Sequence, residues 1–196
     1  RSFNPYSGAP ATYIVAKELL YAHFNKKAEG LELSEYKKGD KLIPFKVSEQ
    51  VIKGPELAGI RYEQLIPWIK PEENTMRVIT GDYVTTSDGT GIVHIAPTFG
   101  ADDDKVSKIN NIAPFFVVDK DGLNQPMVDR TGKMYRMEDL SESFVKERVN
   151  MAEYGSFAGR YVKNAYDPDL APDADTIDVD ICVALKQQGK AFKIEK

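Results

Sequence analysis

Cysteine, histidine and tryptophan are scarce in this sequence, whose 196 residues include one cysteine, two histidines and one tryptophan. A single cysteine excludes an internal disulfide, and we expect Cys182, which lies in an apolar stretch, to be a buried thiol in a reducing compartment. A zinc site needs several cysteine or histidine ligands at close spacing, and the sequence has no such cluster. We therefore expect no metal site.

Long apolar runs and an excess of positive charge are also missing. No run approaches the roughly 20 residues of a membrane span, and the segment Arg1–Pro5 has no signal-peptide pattern. The net charge of −4 argues against general nucleic-acid binding, DNA included, because such proteins present a basic surface. With 42% hydrophobic and 29% charged residues, the composition is typical of a globular protein, and we expect one cytoplasmic domain over residues 1–196.

Short β-like and helical segments alternate along the chain. Strand composition occurs at Thr12–Val15, Leu42–Val51, Gly59–Ile66, Met76–Thr86, Ile92–Ile95 and Phe115–Val118. Helical patterns occur at Ala16–Phe24, Asp102–Ile109, Asp139–Val149 and Thr176–Gln188, the last with Asp173 and Asp175 near its start and Gly189 at its end. The polar turn Ser87–Gly89 between Tyr83–Thr85 and Ile92–Val93 predicts a hairpin. Many strands with few helices predict an α/β or α+β domain with a barrel-like sheet.

The most informative stretch covers residues 89–104 and reads GTGIVHIAP followed by TFGADDD. Gly89 and Gly91 allow a positive φ or a close approach of backbones, and the β-branched residues that follow are typical of a strand ended by a proline. In such a strand His94 shares a face with Ile92, where an apolar residue would be the ordinary choice. After a glycine turn, the three aspartates suit the first turn of a helix.

Each part of this stretch also has an ordinary structural explanation. A single strand histidine is more often a hydrogen-bonded structural residue than a catalyst, and aspartates at a helix start usually cap amides. A metal site built from His94, Asp102, Asp103 and Asp104 is not favoured, because it contains one histidine only. The run Asp119–Asn124 superficially resembles a calcium loop, but it lacks the third early ligand and the terminal glutamate, so it predicts a tight turn.

As one continuous string, Gly-Thr-Gly-Ile-Val-His-x-Ala-Pro-x-x-Gly-x-x-Asp over residues 89–103, here named the signature run, resembles the editing domain inserted in isoleucyl-tRNA synthetases. Valyl relatives typically carry a lysine and Thr-Pro where this chain has His94 and Ala96-Pro97, and leucyl relatives typically carry Met-Ala-Val-Pro. Weaker matches cover nearly the whole chain, at Gly59–Tyr62, Ile66–Trp68, Val117–Asp119, Gly122, Phe157–Val162 and Ile177–Phe192. The longer stretch 130–154 is interpreted as an insertion.

The resemblance implies a class I synthetase editing-domain fold, with a β-barrel core flanked by helices, as a fragment of a larger synthetase. The implied reaction is hydrolysis of misacylated valyl-tRNA(Ile), carried out within an ATP-dependent isoleucine-tRNA ligase. The implied partners are the 3′ acceptor end of the isoleucine-specific tRNA, carrying valine, and the remaining domains of the same synthetase. No cofactor is implied for editing, since ATP serves the separate aminoacylation site.

The same resemblance assigns candidate catalytic residues. Asp103 matches the acidic residue that holds the α-ammonium group of the aminoacyl moiety, where a cation leaving water must be paired. His94 matches the histidine that lines the pocket and limits side-chain size, and it is a candidate to orient the attacking water, a role open also to the terminal ribose hydroxyl. Asp102 and Asp104 are assigned to capping and surface roles. The implied substrate-binding residues are Gly89, Thr90, Gly91, His94 and Asp103.

Two features of the family are missing from this chain. A threonine-rich segment that forms the opposite wall of the pocket lies upstream in the family, and the chain begins after it. The His-x-Gly-His and Lys-Met-Ser-Lys-type motifs of the aminoacylation site are missing too, so the chain is interpreted as a fragment. Two alternatives stay open, a free-standing trans-editing hydrolase and an inactive module that binds a tRNA acceptor end.

Overall fold

Short strands and helices separated by long irregular connections form the chain in this computed structural model, which describes residues 1–171, 174 and 176–194. The strands are β1 (Ser2–Phe3), β2 (Pro10–Ala11), β3 (Val117–Val118) and β4 (Asn124–Gln125). The α-helices are α1 (Leu20–His23), α2 (Ala101–Ile109), α3 (Glu142–Arg148), α4 (Met151–Tyr154) and α5 (Ile177–Gln187). Single 3₁₀ turns lie at Lys17–Leu19, Lys26–Ala28, Leu33–Glu35, Gly54–Leu57, Met137–Asp139 and Asn164–Tyr166.

The chain divides into two units, each built from segments that are distant in the sequence. The first unit comprises Arg1–Glu56, Thr80–His94 and Cys182–Lys196, and the second comprises Leu57–Ile79 and Ile95–Ile181. The single domain over residues 1–196 stays a prediction.

In the first unit, a buried asparagine joins the two ends of the chain. β1 pairs antiparallel with β2 in the register Ser2↔Ala11 and Phe3↔Pro10. The Asn4 side chain then accepts the N–H groups of Tyr6 and Ser7, each at 2.9 Å, and donates to the carbonyls of Gly189 at 2.9 Å and Ala191 at 2.8 Å. Gly189 has a φ of +69°, which glycine adopts without strain, and it follows the end of α5 as predicted.

An aromatic cluster fixes the segment that leads to α1. Ring centroids of its contacting pairs lie between 4.6 and 5.8 Å apart. The members are Tyr13, Phe24, Phe45 and Phe192. Because Tyr13 and Phe24 flank residues 16–23, the packing of their half-buried rings holds this stretch of backbone in place.

The second unit contains the main apolar core. One buried cluster consists of Ile69, Val117, Leu140 and Phe144, and another of Met134, Tyr154, Phe157 and Ile177. Trp68 packs against both, with its ring 4.5 Å from that of Phe157. Each fully buried side chain of this kind contributes roughly 1.5–3 kcal/mol, so the two clusters supply much of this unit's stability.

The predicted helices are confirmed. A 3₁₀ turn and α1 occupy Ala16–Phe24, while α2, α3 and α5 occupy the other three segments. α3 begins where it does because the Ser141 hydroxyl accepts the N–H of Phe144 at 3.3 Å. Cys182 lies on α5 and is half-buried, so the prediction of a buried thiol is wrong. Asp173 and Asp175, predicted near the start of this helix, lie outside the described residues.

Most of the strand predictions are wrong. Phe115–Val118 forms β3 only at its last two residues, and Gly59–Ile66 meets Met76–Thr86 at the single bridge Arg61↔Arg77. The segments that stay irregular are Thr12–Val15, Leu42–Val51, Tyr83–Thr85 and Ile92–Ile95, so the predicted hairpin does not form. β-branched residues favour an extended backbone, but a strand also needs a partner in register and a surface to cover.

The sheets of the described residues are two-stranded. β1 pairs with β2, β3 pairs with β4, and isolated antiparallel bridges link further segments. The mixed α/β class is confirmed. The described ranges contain no closed barrel, and the barrel core stays a prediction. Among the same residues, no helix has the length and apolar character needed to cross a bilayer.

Candidate functional site

A pocket of about 410 Å³ lies in the first unit, and the signature run supplies most of its lining. The lining residues are Tyr83, Thr85, Asp88, Gly89, Thr90, Gly91, Ile92 and Val93. They bring together one carboxylate, two threonine hydroxyls, a phenol ring and the backbone of the Gly-Thr-Gly segment (Gly89–Gly91). The volume falls within the range of roughly 300–1,000 Å³ that is typical of small-molecule sites.

The pocket lining is stabilised by threonine hydroxyls and not by a strand ladder. Thr85 Oγ1 donates to Asp88 Oδ1 at 3.2 Å and lies 2.9 Å from Ser87 Oγ. Thr90 Oγ1 donates to the carbonyl of Ile92 at 3.0 Å and accepts its N–H at 3.3 Å. Local side-chain bonds of this kind are an alternative to regular structure, which fits the irregular backbone here.

Both glycines of the Gly-Thr-Gly segment have a backbone that favours glycine, with φ of +60° at Gly89 and +78° at Gly91. Gly91 also lies against the first unit's N-terminal segment, where a Cβ on Gly91 would come within 2.6 Å of the Ala16 Cβ. The carbonyl of Thr90 accepts the N–H of Ala16 at 2.8 Å. The predicted close approach of backbones is therefore present, and its partner is Ala16.

His23 is a contact of this segment that the sequence analysis misses. Its Nε2 lies 2.6 Å from the carbonyl oxygen of Gly89, at the end of α1. The two residues are 66 positions apart, and neither the composition nor the spacing of the sequence carries a signal that links them. Hydrophobic periodicity explains α1, but it does not reveal which loop the helix end meets.

His94 lies in the first unit, one residue beyond the pocket lining, and its side chain is exposed. The prediction that it shares a strand face with Ile92 is wrong, because residues 92–95 are irregular. Ile92 and Val93 are themselves 47% and 50% exposed, so this segment does not cover a sheet. The role of His94 as a size filter stays a prediction.

Asp103 lies in the second unit, in the first turn of α2, and is half-buried. Its Oδ2 accepts the N–H of Ala96 at 2.9 Å, which ties the helix to the Ala-Pro part of the signature run. Thr98, between them, donates through Oγ1 to the carbonyl of Phe115 at 3.1 Å. Asp104 forms an exposed ion pair with Lys108 at 2.6 Å, in agreement with its predicted surface role.

The turn Asp119–Asn124 forms as predicted. Asp119 Oδ1 accepts the N–H groups of Asp121 at 3.0 Å and Leu123 at 2.9 Å, and Oδ2 accepts from Gln125 at 2.8 Å. The hydrogen bond from Leu123, followed by that from Gln125, lowers the pKa of the Asp119 carboxyl. Its oxygens therefore stabilise the turn itself. Among the residues that the structure describes, no group of three or more His, Cys, Asp or Glu is suited to hold a metal ion.

Comparison with known proteins identifies the family. None of the protein-family models matches the chain. The isoleucine–tRNA ligase of Bacteroides fragilis is 57% identical over 196 residues, which is 100% of this chain and 17% of that protein. The ligases of Porphyromonas gingivalis and Bacteroides thetaiotaomicron are 51% and 49% identical, again over 100% of this chain, and over 17% and 19% of their own lengths. The chain therefore belongs to the isoleucine–tRNA ligase family, and its whole length corresponds to a segment that makes up 17–19% of these relatives.

Proposed function

We propose that the chain is the editing domain of an isoleucine–tRNA ligase and hydrolyses the ester between valine and the isoleucine-specific tRNA. The observation that carries this proposal is the coincidence of two features. The Gly-Thr-Gly segment that lines the pocket is also the start of the signature run, whose order resembles the editing domain. The similarity of the whole chain to a segment of isoleucine–tRNA ligases supports a role within such a ligase.

The need for a second site follows from the small difference between the two amino acids, a principle established for these ligases themselves. A pocket that admits isoleucine rejects valine weakly, because one missing methylene is worth only about 1–3 kcal/mol. A smaller second pocket excludes isoleucine by steric overlap and admits valine. Water then attacks the ester carbonyl carbon, the bond to the ribose oxygen breaks, and free valine and tRNA leave.

In this proposal Asp103 pairs with the α-ammonium group and His94 limits the size of the amino-acid side chain. The Gly-Thr-Gly segment forms the wall beside the terminal adenosine. The polar lining supports a nucleoside ligand, since Asp88 and the threonine hydroxyls can bond ribose and base while Tyr83 offers an aromatic surface. The bond from Ala96 to Asp103 fixes the orientation of the carboxylate before any ligand binds.

The partners are the 3′ acceptor end of the isoleucine-specific tRNA and the other domains of a cytoplasmic, ATP-dependent ligase. Hydrolysis needs water and no cofactor, and ATP serves the separate aminoacylation site. The proposed fold includes the β-barrel core that the resemblance implies for the editing domain.

Deacylation of valyl-tRNA(Ile) by the ligase that carries this chain tests the proposal. We expect the wild-type ligase to release valine and Asp103→Asn to lower kcat/KM about 10- to 150-fold, the range for loss of a charge-assisted contact. Asparagine keeps an oxygen that can accept the Ala96 N–H, so the local fold is retained. Asp104→Asn is the matched control, because its carboxylate pairs with Lys108 on the surface.

Three results would contradict the proposal or redirect it. A wild-type ligase that leaves valyl-tRNA(Ile) intact overturns the editing function and favours a module that only binds the acceptor end. An equal loss in Asp103→Asn and Asp104→Asn overturns the assignment of Asp103. Full activity of the 196-residue chain by itself favours a free-standing hydrolase.

A further inference from the structure

The Gly-Thr-Gly segment is held from one side by the N-terminal segment of the first unit. Ala16 donates its N–H to the carbonyl of Thr90 at 2.8 Å, and His23 Nε2 lies 2.6 Å from the carbonyl of Gly89. The two contacts therefore fix the neighbouring carbonyl groups of Gly89 and Thr90. Gly89 and Gly91 both have positive φ, and residues 89–91 are not part of a strand, so no ladder of backbone hydrogen bonds fixes their position.

The His23 contact differs from the Ala16 contact in being made by a side chain. A carbonyl oxygen accepts, so the ring must carry its proton on Nε2. The neutral Nε2–H form and the imidazolium both satisfy this requirement. Phe24, the next residue, belongs to the aromatic cluster, in which its half-buried ring packs against those of Phe45 and Phe192.

We infer that His23 is a positioning residue of the pocket, which holds the Gly89 carbonyl and thereby the wall against which the substrate binds. This inference rests on the proposed function, since the substrate is the aminoacyl-tRNA of that proposal. His23 contacts the backbone of the wall and is not among the residues that line the pocket. Its loss therefore weakens substrate binding and leaves the chemical step unchanged, a split that a residue needed only for folding does not produce.

Substitutions of the same position separate the hydrogen bond from the bulk of the ring. The amide nitrogen of glutamine lies the same number of bonds from Cα as Nε2 of histidine, so glutamine at position 23 can donate to the same carbonyl. Asparagine is shorter and cannot reach, and alanine removes the donor. Lys17→Ala is the control, because Lys17 is exposed and lies on the same N-terminal segment.

Steady-state deacylation of valyl-tRNA(Ile) by the ligase that carries this chain gives the first readout. We expect His23→Ala and His23→Asn to raise KM roughly 2- to 12-fold at unchanged kcat, as for loss of one net hydrogen bond. His23→Gln and Lys17→Ala should keep the wild-type KM. Hydrogen exchange of the peptide over residues 87–92, measured in the same ligase without tRNA, gives the second readout, and it should accelerate in His23→Ala and not in His23→Gln.

The two readouts distinguish failure of this inference from failure of the proposed function. If the wild-type ligase deacylates valyl-tRNA(Ile) but His23→Ala keeps the wild-type KM, or His23→Gln fails to restore it, the inference is overturned and the proposed function stands. If the wild-type ligase does not deacylate, the proposed function falls, and the exchange of residues 87–92 decides whether His23 holds the wall. Unchanged exchange in His23→Ala overturns the inference in that case.

Discussion

The Asp103 carboxylate accepts the backbone N–H of Ala96 at 2.9 Å, and this bond joins two parts of the signature run. It closes the turn between the Ala-Pro dipeptide and α2. A Cβ on Gly100 would come within 3.0 Å of the same carboxylate oxygen, so the turn leaves little space around it. Asp103 therefore has a structural contact besides the ammonium-binding role proposed for it.

This contact predicts different stabilities for two Asp103 variants. Asp103→Ala leaves the half-buried Ala96 N–H without its acceptor, and we expect a loss of roughly 1–3 kcal/mol in the free energy of unfolding. Asp103→Asn keeps an acceptor oxygen and should lose less. Urea denaturation of the chain measures both, with Asp104→Ala as the control, which should change stability by less than about 1 kcal/mol because its ion pair is exposed. Equal stability of Asp103→Ala and wild type would remove the structural role.

The sequence predicts the helices well because their signals are local. α2 has three aspartates in its first turn and Lys108 in its last, which match the helix dipole, and α5 ends before a glycine with positive φ. Each of these signals lies within a few residues of the element it marks. These signals therefore predict the helices independently of the tertiary structure.

The strands and part of the site depend on distant partners, and the sequence predicts them poorly. The composition of Ile92–Ile95 favours a strand, yet the segment has no ladder partner and stays irregular. The order of the signature run indicates the Gly-Thr-Gly segment, which lines the pocket. His23 reaches that segment only through tertiary packing, over 66 positions, so no pattern in the sequence indicates it.

The proposed size filter at His94 gives a prediction about the cognate product. If His94 limits the side-chain size as proposed, His94→Ala removes this limit, so the ligase that carries the variant should deacylate correctly charged isoleucyl-tRNA, which we expect the wild type to spare. The gain should be specific to the larger side chain because it comes from removed overlap. Parallel assays with isoleucyl and valyl esters measure this. A variant that loses activity on the valyl ester and leaves the isoleucyl ester intact would instead assign His94 to the hydrolytic step.

Gly91 and Gly122 allow backbone strain to be separated from steric overlap. Both have a φ of +78°, but a Cβ on Gly91 meets the Ala16 Cβ at 2.6 Å, whereas Gly122 has nothing within 4 Å. Gly122→Ala should lower the free energy of unfolding only by the strain of an alanine in the left-handed conformation, about 1 kcal/mol. Gly91→Ala should lower the free energy of unfolding by roughly 1–3 kcal/mol more, because the added methyl group overlaps with Ala16.

Urea denaturation and deacylation by the ligase together check this pair. Gly91→Ala should also raise KM for valyl-tRNA(Ile), because the wall of the pocket has to move, while Gly122→Ala should leave it unchanged. Similar losses of stability in the two variants would mean that Ala16 yields at little cost, and the close approach would then have no energetic importance.

Tyr154 gives a prediction for alkaline pH. Its ring is fully buried, its hydroxyl donates to the carbonyl of Tyr135, and burial raises the pKa of Tyr154 to about 12. The folded-state pKa lies above the unfolded value of about 10. Its contribution to stability is therefore complete below pH 10 and is lost as the pH rises toward 12, because the unfolded chain releases the proton first.

The comparison of wild type with Tyr154→Phe isolates this effect, since the other titrating groups are common to both proteins. Phenylalanine preserves the packing against Trp68 but leaves the Tyr135 carbonyl without its donor, so the variant should be less stable by about 1 kcal/mol at pH 9. Wild type then loses roughly 2 kcal/mol more than the variant between pH 9 and pH 12, from the ionisation of Tyr154 in the unfolded chain. The difference in the free energy of unfolding, measured by urea denaturation at several pH values, should shrink and change sign over this range. A constant difference from pH 9 to pH 12 would mean that the buried hydroxyl titrates like an exposed tyrosine.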